Sequence, residues 1–460
     1  MRKQPHAVVI GAGIGGLSAA IGLHESGWNV TVLERAAALE PVGSGIGLAP
    51  NGRRALDVLG LGEQVRGLAA WQGDGGMRAQ NGRWLVRTTA AEAEAAYGGS
   101  LVMLHRATLV DLLVAALPAG VLRTGTRAAV ADPGAVGRRA VVTTDEGGIG
   151  ADLVVGADGI DSAVRRVLFP DHLRPAYAGF TAWRFVVPAP DVPFAPHETW
   201  GRGGVWGTQP LKDGRVYAYG TARVPEGGRA PDGEKAELER RFGHWHDPIP
   251  RLIAEVRAED VLRNDVRHLS APLARHHRGR VVLIGDAAHA MTPSLGQGGN
   301  QAIEDAVVLA HHAAPDGDLA AGLAAYGAAR VPRTSEIVRR ASRASRVTHL
   351  TAAPLVALRD AFVSTAARVA PGAVLRSFTS LTDWHPPQAT PIAQVAPIAS
   401  ADGRPAPAAP HWPARPPHLA CRSPDPALRN IPDEHDPVHA GQVRRVERGV
   451  SVVRGRARNR

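Results

Sequence analysis

Apolar positions along the chain follow two different periods. Ala7-Val-Val-Ile10, Asn29-Val-Thr-Val-Leu33, Leu153-Val-Val-Gly156 and Val281-Val-Leu-Ile284 are short continuous runs, the pattern of strands covered on both faces of a parallel sheet. After the first run, Leu17, Ala20, Ile21 and Leu23 recur at helical spacing. Residues 171 to 270 read differently, as aromatic-rich alternating strands: Gly179 to Val187, Glu198 to Trp200, Gly204 to Trp206 and Arg215 to Tyr219. Lys212-Asp213-Gly214 between two of them is a hairpin turn signal. Helical patterns resume at Ala302 to Leu309, then from Leu323 and from Ile337 to about residue 376, with Pro332 marking a helix start or a kink.

The chemistry sits where the apolar runs end. Val281 to Ile284 runs into Gly285 and Asp286, then Pro293 and Gly296-Gln297-Gly298-Gly299-Asn300. An acid at the carboxyl end of a strand occupies the ligand edge of an open α/β sheet. A helix opening near Asn300 turns free N–H groups and a positive dipole end toward the same place. A polyhydroxylated chain on Asp286 and a negatively charged ring at the helix start suit both features, which points to flavin. The amino-terminal run leads into Gly11-Ala-Gly13-Ile-Gly15-Gly16, a helix, a second strand and Glu34, 21 residues after Gly13. Those glycines permit a tight turn, close approach of a pyrophosphate and close helix packing, and the acid accepts from ribose hydroxyls. Gly156-Ala-Asp158-Gly159, followed by Ser162 and Arg165, repeats the strand-acid-helix arrangement.

Taken together these three segments resemble the three fingerprints of the single-component FAD-dependent monooxygenases, the para-hydroxybenzoate and salicylate hydroxylase type. Ser44-Gly-Ile-Gly-Leu-Ala-Pro50-Asn51, His105-Arg106, Ala182-Trp183-Arg184 and Asp383-Trp384-His385-Pro386-Pro387 support it, in the family's order, over residues 6 to 387. The resemblance implies an α/β fold in which a Rossmann-type FAD domain (1–70, 101–170 and 271–340) interleaves with a mixed-sheet substrate domain (71–100 and 171–270). A helical segment (341–387) and a Pro/Arg-rich tail (388–460), expected to be disordered, follow. It implies that Gly11, Gly13, Gly15 and Gly16 approach the FAD pyrophosphate, with Glu34, Arg35 and Ser44 beside the nucleotide. Arg106 reaches the cofactor from a helix start, and Asp158 and Gly159 serve both FAD and NAD(P)H. Gly285 and Asp286 hold the ribityl chain, and Pro293 and Gly296 to Asn300 line the flavin. For Asp158 a plain helix N-cap is the alternative; for His289 a packed, hydrogen-bonded histidine is the expected role.

The implied chemistry is oxygen transfer from a C4a-hydroperoxyflavin, formed from O2 after reduction by NADPH or NADH, to an electron-rich substrate. The protein's part is to orient the cofactor and exclude water. No second Gly-x-Gly-x-x-Gly is present, so no separate nicotinamide domain is expected. Arg184 is the leading anchor for a substrate carboxylate or phenolate, with a structural ion pair as its alternative; Tyr217 and Tyr219 share a face, and at most one meets substrate. Arg184, Tyr217 and Pro293 form the candidate catalytic set, without a general base. Gly47 and Leu48 stand where some aromatic hydroxylases place a histidine, and Val205 where urate hydroxylases use an arginine. A planar, mostly apolar substrate, aromatic or polyketide-like, is expected to be hydroxylated or epoxidised. An oxidase, a dehydrogenase or a halogenase on this scaffold, or a non-enzymatic flavin-binding protein, are the alternatives.

Composition changes this picture little. A core of about 385 residues exceeds the ~250–300 at which one hydrophobic core stops growing, consistent with two domains. One cysteine, Cys421, offers neither a disulfide framework nor the Cys-x-x-Cys of a disulfide reductase. No run approaches the ~18 apolar residues of a membrane span, so a cytoplasmic monomer or homodimer acting on a small molecule is expected. The formal charge of +10 is misleading, because residues 388–460 hold 11 arginines and 6 acids, and 14 prolines fall between 386 and 437. Neither a nucleic-acid nor a membrane partner is expected from it. His244-Trp-His246-Asp247 lacks the further ligands of a metal site, and no metal is expected.

Overall fold

The computed structural model describes residues 4–39, 43–68, 70–71, 74–97, 101–191, 194–370 and 379–387. The expectations for the 388–460 tail and Cys421 lie outside these residues.

The four apolar runs do form one sheet. Its order is His277–Arg278, Val281–Leu283, Leu153–Gly156, His6–Ile10, Asn29–Leu33 and Leu122–Arg123, parallel except at the His277–Arg278 edge. Register brings the carboxyl ends level: Ile10 pairs with both Leu33 and Gly156, and Gly156 with Leu283. Gly11, Glu34, Asp158 and Asp286 therefore emerge along a single edge. Helices Ile14–Glu25 and Gly298–His312 cover one face of the sheet. Their seam is made of small residues, since a Cβ on Gly15 would stand 3.1 Å from Ala302 Cβ and one on Gly22 3.0 Å from Ala310 Cβ. Gly15 thus serves helix packing. A three-stranded sheet, Ala128–Asp132, Ala140–Thr144 and Gly147–Ala151, packs with the other face through Val130, Ala140, Val142 and Ala151.

The alternating segments build a seven-stranded sheet in the order Leu262–His268, Ala176–Pro188, Arg215–Ala222, Gly204–Pro210, His197–Trp200, Gly75–Ala79 and Trp84–Thr88. The turn at Lys212–Gly214 is present, with Gly214 at φ +78°. Alternation separates the two faces. Trp183, Phe185, Trp206 and Ala218 pack with Leu238, Phe242, Leu252 and Ile253 of helices Glu234–Phe242 and Ile249–Glu255. Arg184, Tyr217, Tyr219 and Glu198 point to the opposite side.

Two expectations about helices change. The helix opens at Gly298 rather than near Asn300, and Asp286–His289 forms a helical turn of its own. Of the two roles expected for Pro332 the helix start is not seen, because the helix Leu319–Thr348 includes it. Tertiary contacts hold that helix on either side of the missing N–H: Arg330 and Arg333 both bind Glu304. Among the described residues no single helix is long and apolar enough to cross a membrane.

Candidate active site

The glycine loop has the shape its sequence requires. Gly11 stands at φ +105°, where a Cβ would lie 2.5 Å from the Ala157 carbonyl oxygen, and a Cβ on Gly16 would lie 2.0 Å from that of Gly11. Nothing lies within 4 Å of a Cβ built on Gly13, which leaves its backbone open to a ligand. The Glu34 carboxylate ties the second strand to this loop, accepting from Ala12 N at 2.8 Å and Ala36 N at 2.9 Å. Arg35 beside it is exposed and Ser44 is buried, its carbonyl accepting from Arg106 N at 2.9 Å.

Asp158 divides its two oxygens. Oδ2 caps the following helix, accepting from Ala163 N at 2.7 Å and Val164 N at 3.1 Å, while Oδ1 is buried without a hydrogen-bond partner. A buried orphan acceptor is costly unless a ligand donates to it. The cap is real, and it is only half of what this side chain offers. Gly159, at φ +76°, leaves open space beside it.

Asp286 is the single exposed residue between Val281 and Ala290. Its carboxylate makes no hydrogen bond among the described residues. Gly285, at φ +57°, turns the chain there, and Arg165 fixes the turn by donating to the Ala287 carbonyl at 2.9 Å and that of Ile160 at 2.5 Å. Pro293 and Gly296 are exposed, and nothing surrounds a Cβ built on Gly296. Helix Gly298–His312 has no side-chain cap on its first N–H groups. Gln297 and Asn300, by contrast, spend their side chains on protein. Gln297 Oε1 accepts from Asn51 Nδ2 at 2.9 Å; Asn300 Oδ1 accepts from Ala49 N at 3.0 Å and its Nδ2 donates to the Gly47 and Gly296 carbonyls. What these two hold out is backbone.

Beneath the loop lies a buried ionic cluster that sequence reading did not find. Arg330 and Asp305 meet at 2.6 Å, Arg330 and Glu304 at 2.5 Å, and Arg333 reaches Glu304 at 2.7 Å. Asp305 Oδ2 also accepts from Gly285 N at 2.8 Å and contacts His289 Nε2 at 2.6 Å, so His289 is a packed, hydrogen-bonded residue. Burial pushes the Asp305 carboxyl up, but the Arg330 guanidinium and the hydrogen bonds from His289 and Gly285 N outweigh it and hold the group well below its ordinary range. Its one sequence signal is a pair of carboxylates, Glu304-Asp305, set inside the apolar run Ala302 to Leu309.

On the sheet side, Arg106 is solvent-accessible yet enclosed by enough protein that burial lowers its guanidinium pKa, so it lines a recess. Asp286 opposes that shift, while Arg184 adds to it. Tyr217 closes the same group, its phenol raised by burial and lowered by Arg184 and Arg106. Neither arginine side chain has a carboxylate within ion-pairing distance among the described residues. Tyr217 packs on Gly45, where a Cβ would be 2.4 Å from its ring, and with Met103 and Leu211. The His244-x-His246 pair is engaged otherwise: His244 with Gln80 and His246 with Thr199, both at 2.9 Å.

These residues fit FAD: an open backbone at Gly13, an orphan acceptor on Asp158, a free carboxylate on Asp286 and an uncapped helix start facing it. The comparisons agree. Residues 5–341 match the family model described as "FAD binding domain". Over 340 residues the chain is 36% identical to the aurachin C monooxygenase/isomerase of Stigmatella aurantiaca, covering 74% of this chain and 88% of that protein. It is 37% identical over 374 residues to the 3-amino-4-hydroxybenzoate 2-monooxygenase of Streptomyces cremeus, covering 76% and 90%. The crystal structure of Klebsiella pneumoniae HpxO with FAD and uric acid superposes with a TM-score of 0.73 at 28% identity, covering 82% of this chain and 97% of that one. Fold and site define an FAD-dependent monooxygenase. The chain belongs to the FAD-binding-domain family of aromatic hydroxylases, with FAD as its cofactor.

Proposed function

We propose that this enzyme uses NADPH or NADH, with O2, to hydroxylate or epoxidise a small aromatic or polyketide-like molecule bearing an anionic group. The observation that carries the reading is the convergence of Arg106, Arg184 and Tyr217 beside Asp286, with no protein carboxylate paired to either arginine. Two neighbouring guanidiniums, neither ion-paired to a carboxylate among the described residues, form a receptor for a carboxylate or phenolate. The relatives act in keeping with this: one is a monooxygenase of an aminohydroxybenzoate, and one solved neighbour holds uric acid.

Bound FAD supplies the redox chemistry and the activated oxygen. In this reading Asp286 holds its ribityl hydroxyls, Gly13 and Glu34 its nucleotide, and the first N–H groups of helix Gly298–His312 favour negative charge on the ring by about 0.3–1 kcal/mol. Arg184 orients the substrate, while Tyr217, Met103 and Leu211 keep water from the reacting face. For the reductant, a recess of about 440 Å³ is lined by Arg165, Arg166, Arg174 and Arg267, the last paired with Asp161 of the same lining at 2.7 Å. Its cationic wall suits the phosphates of a transiently bound dinucleotide. We take the enzyme to be a monomer or homodimer.

The test is NADPH and NADH oxidation by the FAD-loaded protein against hydroxy- and aminobenzoates. A benzoate that stimulates oxidation in the wild type and loses its effect in Arg184→Gln, through a raised KM, supports the reading. Equal stimulation in both proteins contradicts the role of Arg184.

A further inference from the structure

Sheet register sets one row across four of the seven strands. Arg184 pairs with Tyr219, Tyr219 with Gly207 and Gly207 with Glu198, so all four lie on the face that carries Tyr217. Gly207 makes the row continuous. A Cβ there would stand 2.1 Å from Tyr219 Cε1, so only glycine lets the tyrosine ring lie across that strand. The ring therefore reaches beyond its neighbour, and its hydroxyl donates to Glu198 Oε2 at 2.7 Å. Trp200 Nε1 donates to the other oxygen at 2.5 Å. Tyr217 and Tyr219 lie with ring centroids 5.6 Å apart, which puts the near end of this row at the proposed substrate pocket.

Glu198 is an unusual group to keep there. Among the described residues it has no cationic partner, only the two neutral donors. The titratable groups facing it are Tyr219 on the strand Arg215–Ala222 and, one ring further, Tyr217; from the neighbouring strand Gly75–Ala79 the residue in register is Met77. Burial raises its carboxyl above the ordinary range, against the smaller opposing effect of its two hydrogen bonds. Each of its oxygens accepts from one of these donors, an arrangement that a glutamine, with one acceptor oxygen and a donating NH2, would not reproduce. An acceptor of tuned proton affinity, connected by a hydroxyl to the pocket, is what general-base work requires.

We infer that Tyr219 and Glu198 form a proton relay that receives the proton of a phenolic O–H, or of an aromatic amine N–H, on the substrate. The inference rests on the monooxygenase reading of this pocket. As the new C–O bond forms, the substrate's O–H or N–H bond breaks and its electron pair enters the ring. Its proton passes to the Tyr219 oxygen while the Tyr219 proton passes to Glu198 Oε2. When the ring recovers aromaticity it sheds its C–H proton, and the relay runs backwards to reprotonate the substituent. That C–H proton leaves with the second oxygen atom as water. Overall, substrate, O2, NAD(P)H and a proton give hydroxylated substrate, water and NAD(P)+. Tyr219 is the catalytic residue of the pair, and Glu198 positions and receives its proton.

Glu198→Gln, Tyr219→Phe and the double variant, each loaded with FAD, test the relay on whichever hydroxy- or aminobenzoate the wild type hydroxylates. Each single variant is expected to keep the wild-type FAD content, while product formed per NAD(P)H consumed falls at least about tenfold. The double variant should be no worse than either single one, because the two residues act as a unit. In the wild type, product formation should rise with pH as Glu198 ionises, and this limb should vanish in Glu198→Gln. Wild-type coupling in Glu198→Gln with the limb intact would overturn the relay, as would additive losses. Failure of the broader reading looks different: the wild type itself would then consume no NAD(P)H in response to any aromatic.

Discussion

Arg330 and Asp305 form a fully buried ion pair at 2.6 Å, and the same carboxylate holds Gly285 N at 2.8 Å, one residue before Asp286. The ionic cluster thus reaches the ligand edge of the sheet through one hydrogen bond. Its desolvation is offset only because Glu304, Asp305, Arg330, Arg333, His289 and Gln301 satisfy one another. Replacing Arg330 with methionine leaves buried carboxylates undercompensated. Unfolding free energy should fall by about 3–5 kcal/mol, measured by urea denaturation, and FAD affinity should fall with it. Arg330→Lys should rescue only in part, since one ammonium cannot reproduce the fork to two carboxylates.

Asp286→Ala removes the free carboxylate without touching the cluster, because Arg165 holds only the backbone of that turn. The variant should fold with the wild-type melting temperature of the apoprotein and purify largely without FAD. Normal FAD stoichiometry would remove Asp286 from the cofactor site.

Three histidines make the enzyme acid-sensitive. Burial, the largest cause in each case, lowers His276 to about 3 and His197 and His349 to about 4. They stay neutral in the folded state while the unfolded chain protonates them near 6.5, so unfolding takes up protons as pH falls. The stability they confer is complete above about pH 6.5 and is lost down to pH 4 or 3, each group contributing a slope of about 1.4 kcal/mol per pH unit. Asp305, held low, adds loss of the same sign in stronger acid. Calorimetric melting temperatures should therefore drop steeply from pH 6.5 to 4.5; His276→Gln should flatten the drop.

Residues 388–460 follow the segment that carries every candidate site residue, and the family match ends at residue 341. Deleting 388–460 should leave FAD content and turnover intact, checked by flavin absorbance and NAD(P)H oxidation. Loss of either would give that segment a role in the enzyme.

Much of this site was legible in the sequence because backbone chemistry is local. Gly11, Glu34, Asp158 and Asp286 are each set by a strand ending and a required turn, and such signals survive in a linear pattern. Glu198 was read only as part of a strand. Its significance depends on Gly207, on the next strand in sequence and beside it in register, and no periodicity announces that a glycine clears a path for Tyr219. Arg330 was missed for a related reason: it lies 25 residues from Asp305 and in a helix that Pro332 was expected to interrupt. Gln297 and Asn300 illustrate the converse. Their position in a glycine-rich loop suggests ligand contact, yet three-dimensional packing gives their side chains to Asn51, Ala49 and Gly47.

The most direct test of the central claim is the fate of oxygen. FAD-loaded enzyme would be given NADPH or NADH under ¹⁸O2 with the benzoates that stimulate its oxidation, and the products analysed by mass spectrometry. The account predicts one ¹⁸O atom in the hydroxylated ring and none when the nicotinamide is omitted. Reduction of the flavin by the aromatic compound itself, without nicotinamide and with no ¹⁸O in the product, would make the protein an oxidase or dehydrogenase and contradict it.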